Sequence, residues 1–221
     1  MRRIFEGIYR IGRDIATINL DRGNVVYGEK LVRNGEEYRI WNPTRSKLAA
    51  AIMKGLKKVP LKKNDKVLYL GAASGTTASH VSDIVGEKGY VFCLDVSGRV
   101  LRDLVFVAEK RKNMFPILAD ARKVGEYENL VPECDVVYQD IASPLQTDIL
   151  IENCRKFLKK NGYAFFAVKS RSIDVTADPR KIFNRVEKEL KKYFVIIDKK
   201  RLEPFEKDHM FFVLQKKKEF K

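Results

Sequence analysis

The sequence predicts an α/β fold: a mostly parallel sheet covered by helices on both faces, preceded by a small antiparallel β domain. From residue 44 onwards, short apolar runs of strand length alternate with helical patterns. A glycine-rich turn at residues 71–77 follows one such run and opens an amphipathic segment. Before residue 44 the runs are short and are joined by turns. Repeated strand–helix alternation is typical of a parallel sheet flanked by helices.

Residues 1–43 are predicted to form the small N-terminal β domain. Strand-like runs occur at residues 4–11, 15–18 and 25–27. Asn34-Gly35 then separates two further runs and predicts a hairpin, because both residues tolerate positive φ. A unit of this size buries little surface alone, so we expect it to pack against the rest of the chain.

Residues 44–221 are predicted to form the larger domain, beginning with a helix that Thr44 can cap. Further helices are expected after Ser97 and from Pro179. No helical pattern separates the last two of seven predicted strands, so they should form an antiparallel hairpin. Seven strands with such a hairpin are the arrangement of Rossmann-like methyltransferases. The predicted strands are 67–70, 90–94, 116–118, 136–138, 163–168, 193–197 and 210–214.

The charge balance points to a polyanionic partner. Lys and Arg number 44 against 29 Asp and Glu, a formal net charge of +15, and the basic residues are spread along the chain. This pattern predicts a broad basic face suited to a phosphate backbone. The alternative is a lysine-rich surface that only solvates a protein from a salty or hot environment. No run is apolar enough to span a membrane, which favours nucleic acid as the partner.

Cysteine and histidine usage argues against a metal site. Cys93, Cys134 and Cys154 lack metal-ligand spacing and suit buried thiols in a reducing compartment. Only two histidines occur, which excludes a histidine-rich site. Charges interrupt the N-terminal segment, so we expect no signal peptide and a cytoplasmic protein.

The glycine-rich turn predicts a nucleoside ligand without phosphate. Gly71 and Gly75 let the backbone approach a ligand at a helix start. Counted from Gly71, the glycine positions of a dinucleotide fingerprint hold Ala73 and Thr76, which disfavours a dehydrogenase. S-adenosylmethionine is a nucleoside of the expected kind. A plain strand-to-helix turn is the alternative.

Carboxylates follow three successive predicted strands. Asp95 lies about 20 residues after the turn, where a carboxylate can accept ribose hydroxyls. Asp120-Ala121 and Asp140 end the next two strands, and Asp120-Ala121 can reach an adenine edge. One such residue is usually only a solvated loop residue, but three at the ligand-binding edge predict a site. The predicted cofactor contacts are Gly71, Ala73, Thr76, Thr77, Asp95, Val96, Asp120, Ala121, Asp140, Ile141, Ala142 and Ser143.

Four segments together resemble the fibrillarin family in its archaeal form, without a glycine/arginine-rich extension. They are residues 38–48, 70–83, 167–174 and 202–209. The resemblance implies an S-adenosylmethionine-dependent RNA 2′-O-methyltransferase acting on rRNA or tRNA within a box C/D ribonucleoprotein. It also implies a guide RNA, a scaffold protein and a kink-turn-binding protein of ribosomal type as partners. Two positions depart from the family pattern: Asp95 stands where Glu is usual, and Ser143 where Gln is common.

The resemblance also implies a catalytic set of Lys47, Asp140, Lys169 and His209. Methyl transfer to a ribose hydroxyl requires in-line alignment and removal of one proton. Lys169 and Asp140 end neighbouring predicted strands, so we expect Lys169 to orient or deprotonate the hydroxyl and Asp140 to position Lys169. Lys47 and His209 are expected to support them.

Two of these residues have a simpler interpretation. Lys47 can be a solvated lysine and His209 can cap a strand, while His80 is expected to be a packing or hydrogen-bonding residue. A non-catalytic RNA-binding protein on a degenerate methyltransferase fold is the main functional alternative. It predicts a broken cofactor turn or lost strand-end carboxylates, and the sequence has neither.

Overall fold

A computed structural model describes residues 1–220 and begins with a five-stranded antiparallel sheet in the order β1-β2-β3-β5-β4. The hairpin at Asn34-Gly35 is confirmed, but it is tighter than expected. Asn34 pairs with Glu36, and only Gly35 between them has positive φ, at 71°. The strands are β1 Arg2–Phe5, β2 Ile8–Ile11, β3 Asp14–Ile18, β4 Leu31–Asn34 and β5 Glu36–Trp41.

The predicted strand at residues 25–27 is wrong. The amides of Val26 and Tyr27 donate to the Glu29 carboxylate, so they are not available to a strand ladder. The segment is therefore a loop folded around a buried acidic side chain.

The second sheet has seven strands in the order β11-β12-β10-β9-β6-β7-β8. Strand β12 runs antiparallel to both neighbours and the other pairs are parallel, which confirms the predicted fold class and terminal hairpin. The strands are β6 Lys66–Leu70, β7 Tyr90–Asp95, β8 Met114–Leu118, β9 Cys134–Gln139, β10 Leu158–Lys169, β11 Phe194–Arg201 and β12 His209–Lys216.

Within residues 1–220, six α-helices accompany this sheet. They are α1 Lys47–Met53, α2 Thr76–Val85, α3 Gly98–Lys110, α4 Gln146–Phe157, α5 Ser170–Ile173 and α6 Pro179–Tyr193. Thr44 does not cap α1, because its amide and hydroxyl both donate to Asn42. Ser46 is the cap, and its hydroxyl accepts from the amide of Ala49.

Side chains of the central strands point alternately to the two faces of the sheet and form two apolar layers. Phe165 and Phe211 lie in one layer, and Phe166 and Phe212 lie in the other. Residues Ile8, Ile15 and Trp41 of the first sheet belong to the same layer as α1 and α2. The expected packing of the N-terminal part against the rest is confirmed, while a domain boundary at residue 43 stays a prediction.

A set of buried charged side chains, which we call the Arg39 cluster (Glu29, Arg39, Asp83 and Arg111), joins the first sheet to α2. Arg39 donates to Glu29 and, at 2.8 Å, to Asp83, while Arg111 lies 2.5 Å from the other Asp83 oxygen. All four side chains are at most 1% exposed. Charges removed from water in this way persist only when they are paired, so the cluster fixes the first sheet on α2.

His80 lies beside the Arg39 cluster and is the packing residue expected. Thr17 donates its hydroxyl to Asp83, so it accepts from Nδ1 of His80 at 2.8 Å. Nε2 of His80 therefore accepts from the Tyr27 hydroxyl, also at 2.8 Å. Burial lowers the pKa of His80 well below its usual value, and the two neighbouring arginines lower it further.

The three cysteines are all buried as free thiols, as predicted. Burial raises the pKa of Cys134 to about 12, which makes its thiol unreactive at neutral pH. None of the helices within residues 1–220 combines the length and apolar character needed to cross a bilayer. The same residues hold no grouping of His, Cys, Asp or Glu side chains suited to a metal ion.

Candidate functional site

The carboxyl ends of β6, β7, β8 and β9 surround a cavity of about 420 Å³, which we call the strand-end cavity. Its volume falls in the range of small-molecule sites. Ten of the twelve predicted cofactor residues line it. Its lining residues are Gly71, Ala73, Leu94, Asp95, Val96, Ala119, Asp120, Ala121, Arg122, Asp140, Ile141, Ala142, Ser143, Pro144 and Ile149.

The glycine turn is packed so closely that Gly71 admits no side chain. A Cβ at Gly71 would lie 2.4 Å from the carbonyl oxygen of Asp140, and its φ is 80°. Gly75 has φ of 91° and would bring a Cβ within 2.7 Å of Leu104. The two glycines thus let β6 turn into α2 directly against the end of β9.

Asp95 organises the mouth of the strand-end cavity. Its two carboxylate oxygens accept one hydrogen bond each, from the amides of Ala73 and Ser97, both at 2.9 Å. A carboxylate has about four acceptor positions. About two remain, which is the number that the vicinal hydroxyls of a ribose need.

Asp120 is held ionised by Arg122, a wall residue that the sequence did not identify. Arg122 donates through Nε at 3.0 Å to both Asp120 oxygens, and through its backbone amide at 2.9 Å. These hydrogen bonds lower the pKa of Asp120 to about 2. The carboxylate therefore stays ionised at neutral pH in the wall of the cavity. The arginine two residues after an aspartate was the available signal.

Thr76 and Thr77 do not line the cavity, contrary to expectation. Thr77 is 6% exposed, and its hydroxyl donates to the Ser46 hydroxyl at 3.0 Å. Successive residues of a helix point about 100° apart, so α2 directs this side chain towards α1 rather than towards a ligand.

Lys47 and Asp140 form an ion pair at one end of the strand-end cavity. Nζ of Lys47 lies 2.9 Å from Oδ2 of Asp140, and the two side chains are 21% and 22% exposed. We expected Asp140 to position Lys169, and that role stays a prediction, while the Asp140 carboxylate itself pairs with Lys47. Because α1 begins at Lys47, the side chain of this lysine reaches the end of β9 and pairs with the Asp140 carboxylate.

Lys169 ends β10, the strand next to β9, and its side chain is exposed. Gln146, fully buried at the start of α4, accepts from the backbone amide of Lys169 and donates to its carbonyl, both at 3.1 Å. The ammonium has no ion-pair partner within residues 1–220. The position of the lysine is thus fixed through its backbone, by a residue that carries no charge and gave no signal in the sequence.

His209 lies directly opposite Lys169 in the β10–β12 ladder and is 6% exposed. Its Nδ1 is 2.7 Å from the carbonyl oxygen of Lys207, which can only accept, so Nδ1 carries the proton. In the neutral form of the ring, Nε2 would then be an acceptor. The four predicted catalytic residues therefore lie at one edge of the sheet. Asp140 directly follows β9 and Lys169 ends β10, while Lys47 begins α1 and His209 begins β12.

The family model for fibrillarin matches residues 1–218. This chain belongs to the fibrillarin family. It is 56% identical over 218 residues to a fibrillarin-like rRNA/tRNA 2′-O-methyltransferase of Pyrococcus abyssi, with 96% of each chain covered. The resemblance seen in the sequence is thereby confirmed.

Two solved structures of the family superpose on the whole fold. Aeropyrum pernix fibrillarin, with natively bound S-adenosyl-L-methionine, is 44% identical with a TM-score of 0.85, covering 97% of this chain and 100% of its own. A fibrillarin from a fibrillarin/Nop5p complex is 39% identical with a TM-score of 0.91, again covering 97% and 100%.

Proposed function

We propose that this fibrillarin-family chain transfers the methyl group of S-adenosylmethionine to a ribose 2′-hydroxyl of rRNA and tRNA. The observation that carries the proposal is the shared edge of the sheet: the strand-end cavity and the residues Lys47, Asp140 and Lys169 lie side by side there. The rRNA/tRNA 2′-O-methyltransferase activity for which the Pyrococcus abyssi relative is named and the cofactor bound in the Aeropyrum pernix structure support it.

The walls of the strand-end cavity suit S-adenosylmethionine. The free acceptor positions of Asp95 suit the ribose hydroxyls, and Asp120 with the backbone at Ala121 suits the adenine edge. The close turn at Gly71 brings the backbone of the cofactor turn against Asp140, and both residues line the cavity. No lysine stands in the turn itself, in keeping with a ligand that carries no phosphate.

The bound cofactor supplies a methyl group already activated by a sulfonium. The chain has to align the ribose hydroxyl with it and remove a proton. The ammonium of Lys169 has no carboxylate partner within residues 1–220 and is free to orient the hydroxyl, whereas only the neutral amine form of Lys169 could accept its proton. The ion pair with Lys47 fixes Asp140 in the wall of the cavity, and His209 lies opposite Lys169 in the β10–β12 ladder.

The RNA and protein partners follow from the charge and the family. A net charge of +15 spread over the chain suits a phosphate backbone without choosing a sequence. Site choice then comes from base pairing with a box C/D guide RNA. We propose a scaffold protein as one partner, supported by the fibrillarin/Nop5p complex, and a kink-turn-binding protein as another. We place this assembly in the cytoplasm.

The cofactor is tested by calorimetry on the purified protein. S-adenosylmethionine and S-adenosylhomocysteine should both bind, and NAD should give no heat. Binding of NAD, with no binding of S-adenosylhomocysteine, would replace the methyltransferase by a dinucleotide enzyme.

The guided reaction is tested by methyl transfer to RNA with and without the guide RNA and both partner proteins. We expect a single guide-selected ribose to be methylated only by the full assembly. Full activity of the isolated chain at one defined ribose would instead establish a stand-alone RNA methyltransferase.

A further inference from the structure

We propose that Ser46 and Thr77 are positioning residues that hold Lys47 in place relative to the cofactor turn. The proposal rests on the proposed methyl transfer, in which Lys47 belongs to the active edge, our name for the end of the sheet that carries Lys47, Asp140 and Lys169. It assigns a role to a buried pair of hydroxyl groups that touches neither the cavity nor the predicted catalytic side chains.

The two hydroxyls join the starts of two helices. Thr77, the second residue of α2, donates to the Ser46 hydroxyl at 3.0 Å, and Ser46 is the N-cap of α1. Ser46 is 3% exposed and Thr77 is 6% exposed, so water does not compete for this hydrogen bond. Since Lys47 is the next residue after Ser46, a displacement of the cap displaces the lysine.

The other member of the ion pair is attached to the same turn. The amide of Asp140 donates to the carbonyl of Leu70 at 2.9 Å, immediately before Gly71. The Asp140 carbonyl in turn lies so close to Gly71 that no Cβ fits between them. Both Asp140 and Lys47 are therefore tied to the segment that runs from the end of β6 into α2, from opposite ends of the turn.

This arrangement couples the cofactor turn to the active edge. The backbone on one side of the turn fixes the position of the Asp140 carboxylate, and the hydroxyl pair on the other side fixes the position of Lys47. An error of about 1 Å in the placement of reacting groups can cost on the order of 100-fold in rate. A single buried hydrogen bond that limits such displacement contributes to the rate without contacting substrate.

Thr77→Val removes the donor at nearly constant shape and leaves the Ser46 cap of α1 in place. In the assembled particle we expect kcat to fall about tenfold. The KM and the dissociation constant for S-adenosylmethionine should stay within about twofold, because the Thr77 hydroxyl does not line the cavity. Thr77→Ser keeps the donor and should restore kcat to within about twofold of the wild type.

Ser82→Ala is the matched control. Ser82 lies on the same helix and is also buried, but its hydroxyl donates to Asn113 at 2.7 Å, away from α1. Its loss should reduce stability without changing kcat. Equal losses of kcat in Thr77→Val and Ser82→Ala would show a general effect of weakening α2 and overturn the proposal.

A double variant tests whether Thr77 acts through the lysine. In a Lys47→Ala background, Thr77→Val should cause no further loss, because the group it positions is already gone. A further tenfold loss there, or an unchanged kcat in Thr77→Val alone, contradicts the proposal. A wild-type particle that transfers no methyl group would refute the proposed function instead, so the two failures are distinguishable.

Discussion

Two charged regions of this molecule use the same residue types in opposite ways. The Arg39 cluster is fully buried and every charge in it faces an opposite charge. At the active edge, the Lys47–Asp140 pair is about one-fifth exposed, and Lys169 has an unpaired ammonium within the described residues 1–220. Closed pairing fixes two parts of a fold together, whereas incomplete pairing leaves groups available to a substrate.

The comparison also shows that a single family motif can contain both residues that build the fold and residues that serve the reaction. Arg39 and Lys47 lie in one of the motif segments, and Asp83 lies in the segment of the cofactor turn. The structure assigns Arg39 and Asp83 to the interior and Lys47 to the active edge. Membership of a motif therefore does not by itself distinguish residues that build the fold from residues placed for chemistry.

The largest effect we predict is on stability, from breaking the Arg39 cluster. Arg39→Met leaves Glu29 and Asp83 with less compensation in the interior, so the free energy of unfolding should fall by about 3–5 kcal/mol. Chemical denaturation of the purified protein measures it. Arg33→Met is the control, since Arg33 is 82% exposed in its pair with Glu37 and should cost at most about 1 kcal/mol. Similar losses for the two variants would show that the buried cluster contributes no more to stability than an exposed ion pair.

The next largest effect is on catalysis, at the active edge. Lys169→Ala should lower methyl transfer by roughly 100-fold, equivalent to about 2.7 kcal/mol of barrier, because a positioned proton-handling group is lost. The free energy of unfolding should barely change, since the side chain is exposed. Lys192→Ala removes the same charge on α6 and should leave the rate unaltered. Near-normal turnover of a folded Lys169→Ala protein would remove Lys169 from the mechanism.

A smaller effect is expected on cofactor affinity. Asp95→Ala removes the acceptor proposed for the ribose and should weaken S-adenosylmethionine binding by about 1–3 kcal/mol in calorimetry. Asp14→Ala, at the exposed start of β3, is the control for loss of one negative charge. An affinity unchanged by Asp95→Ala would mean that the ribose binds elsewhere.

The smallest effect is a pH dependence from His80. An unfolded histidine takes up a proton near pH 6.5, whereas burial keeps folded His80 neutral to a much lower pH. Below about pH 6.5 the unfolded state binds the extra proton, so stability should fall with decreasing pH by up to about 1.4 kcal/mol per pH unit. Denaturation of His80→Gln between pH 8 and pH 5 should show a shallower dependence than the wild type. Parallel curves would mean that folded His80 titrates normally.

Much of the fold was predictable from the sequence, because hydrophobic period and turn residues are local signals. The alternation after residue 44, the Asn34-Gly35 hairpin and the terminal β11–β12 hairpin needed no tertiary information. Residues 25–27 have an apolar composition typical of a strand, but the Glu29 carboxylate takes their amides. That competition depends on a buried partner 10 residues along the chain, Arg39, which a local pattern does not show.

Site residues whose positions depend on the backbone were predictable from the sequence. Contacts that depend on the direction of a side chain were less predictable. The glycines and the strand-end carboxylates in the sequence were enough to predict most of the residues of the cavity wall. The hydroxyl of Thr77, the Lys47–Asp140 pair and the Gln146 support of Lys169 depend on how α1, α2 and α4 are oriented. Their partners lie 31, 93 and 23 residues away in sequence. Spacing along the chain carries no information about such contacts.

The division between a closed structural cluster and an open active edge is tested most directly by one pair of isosteric substitutions. Asp140→Asn and Asp83→Asn each remove one carboxylate charge, and methyl transfer by the assembled particle is measured at a temperature where both variants are folded. We predict a loss of roughly 100-fold or more for Asp140→Asn. Asp83→Asn should stay within about threefold of the wild type while losing stability. A folded Asp140→Asn protein with normal transfer, or an equally large loss of rate in Asp83→Asn, would contradict the assignment of chemistry to the open edge.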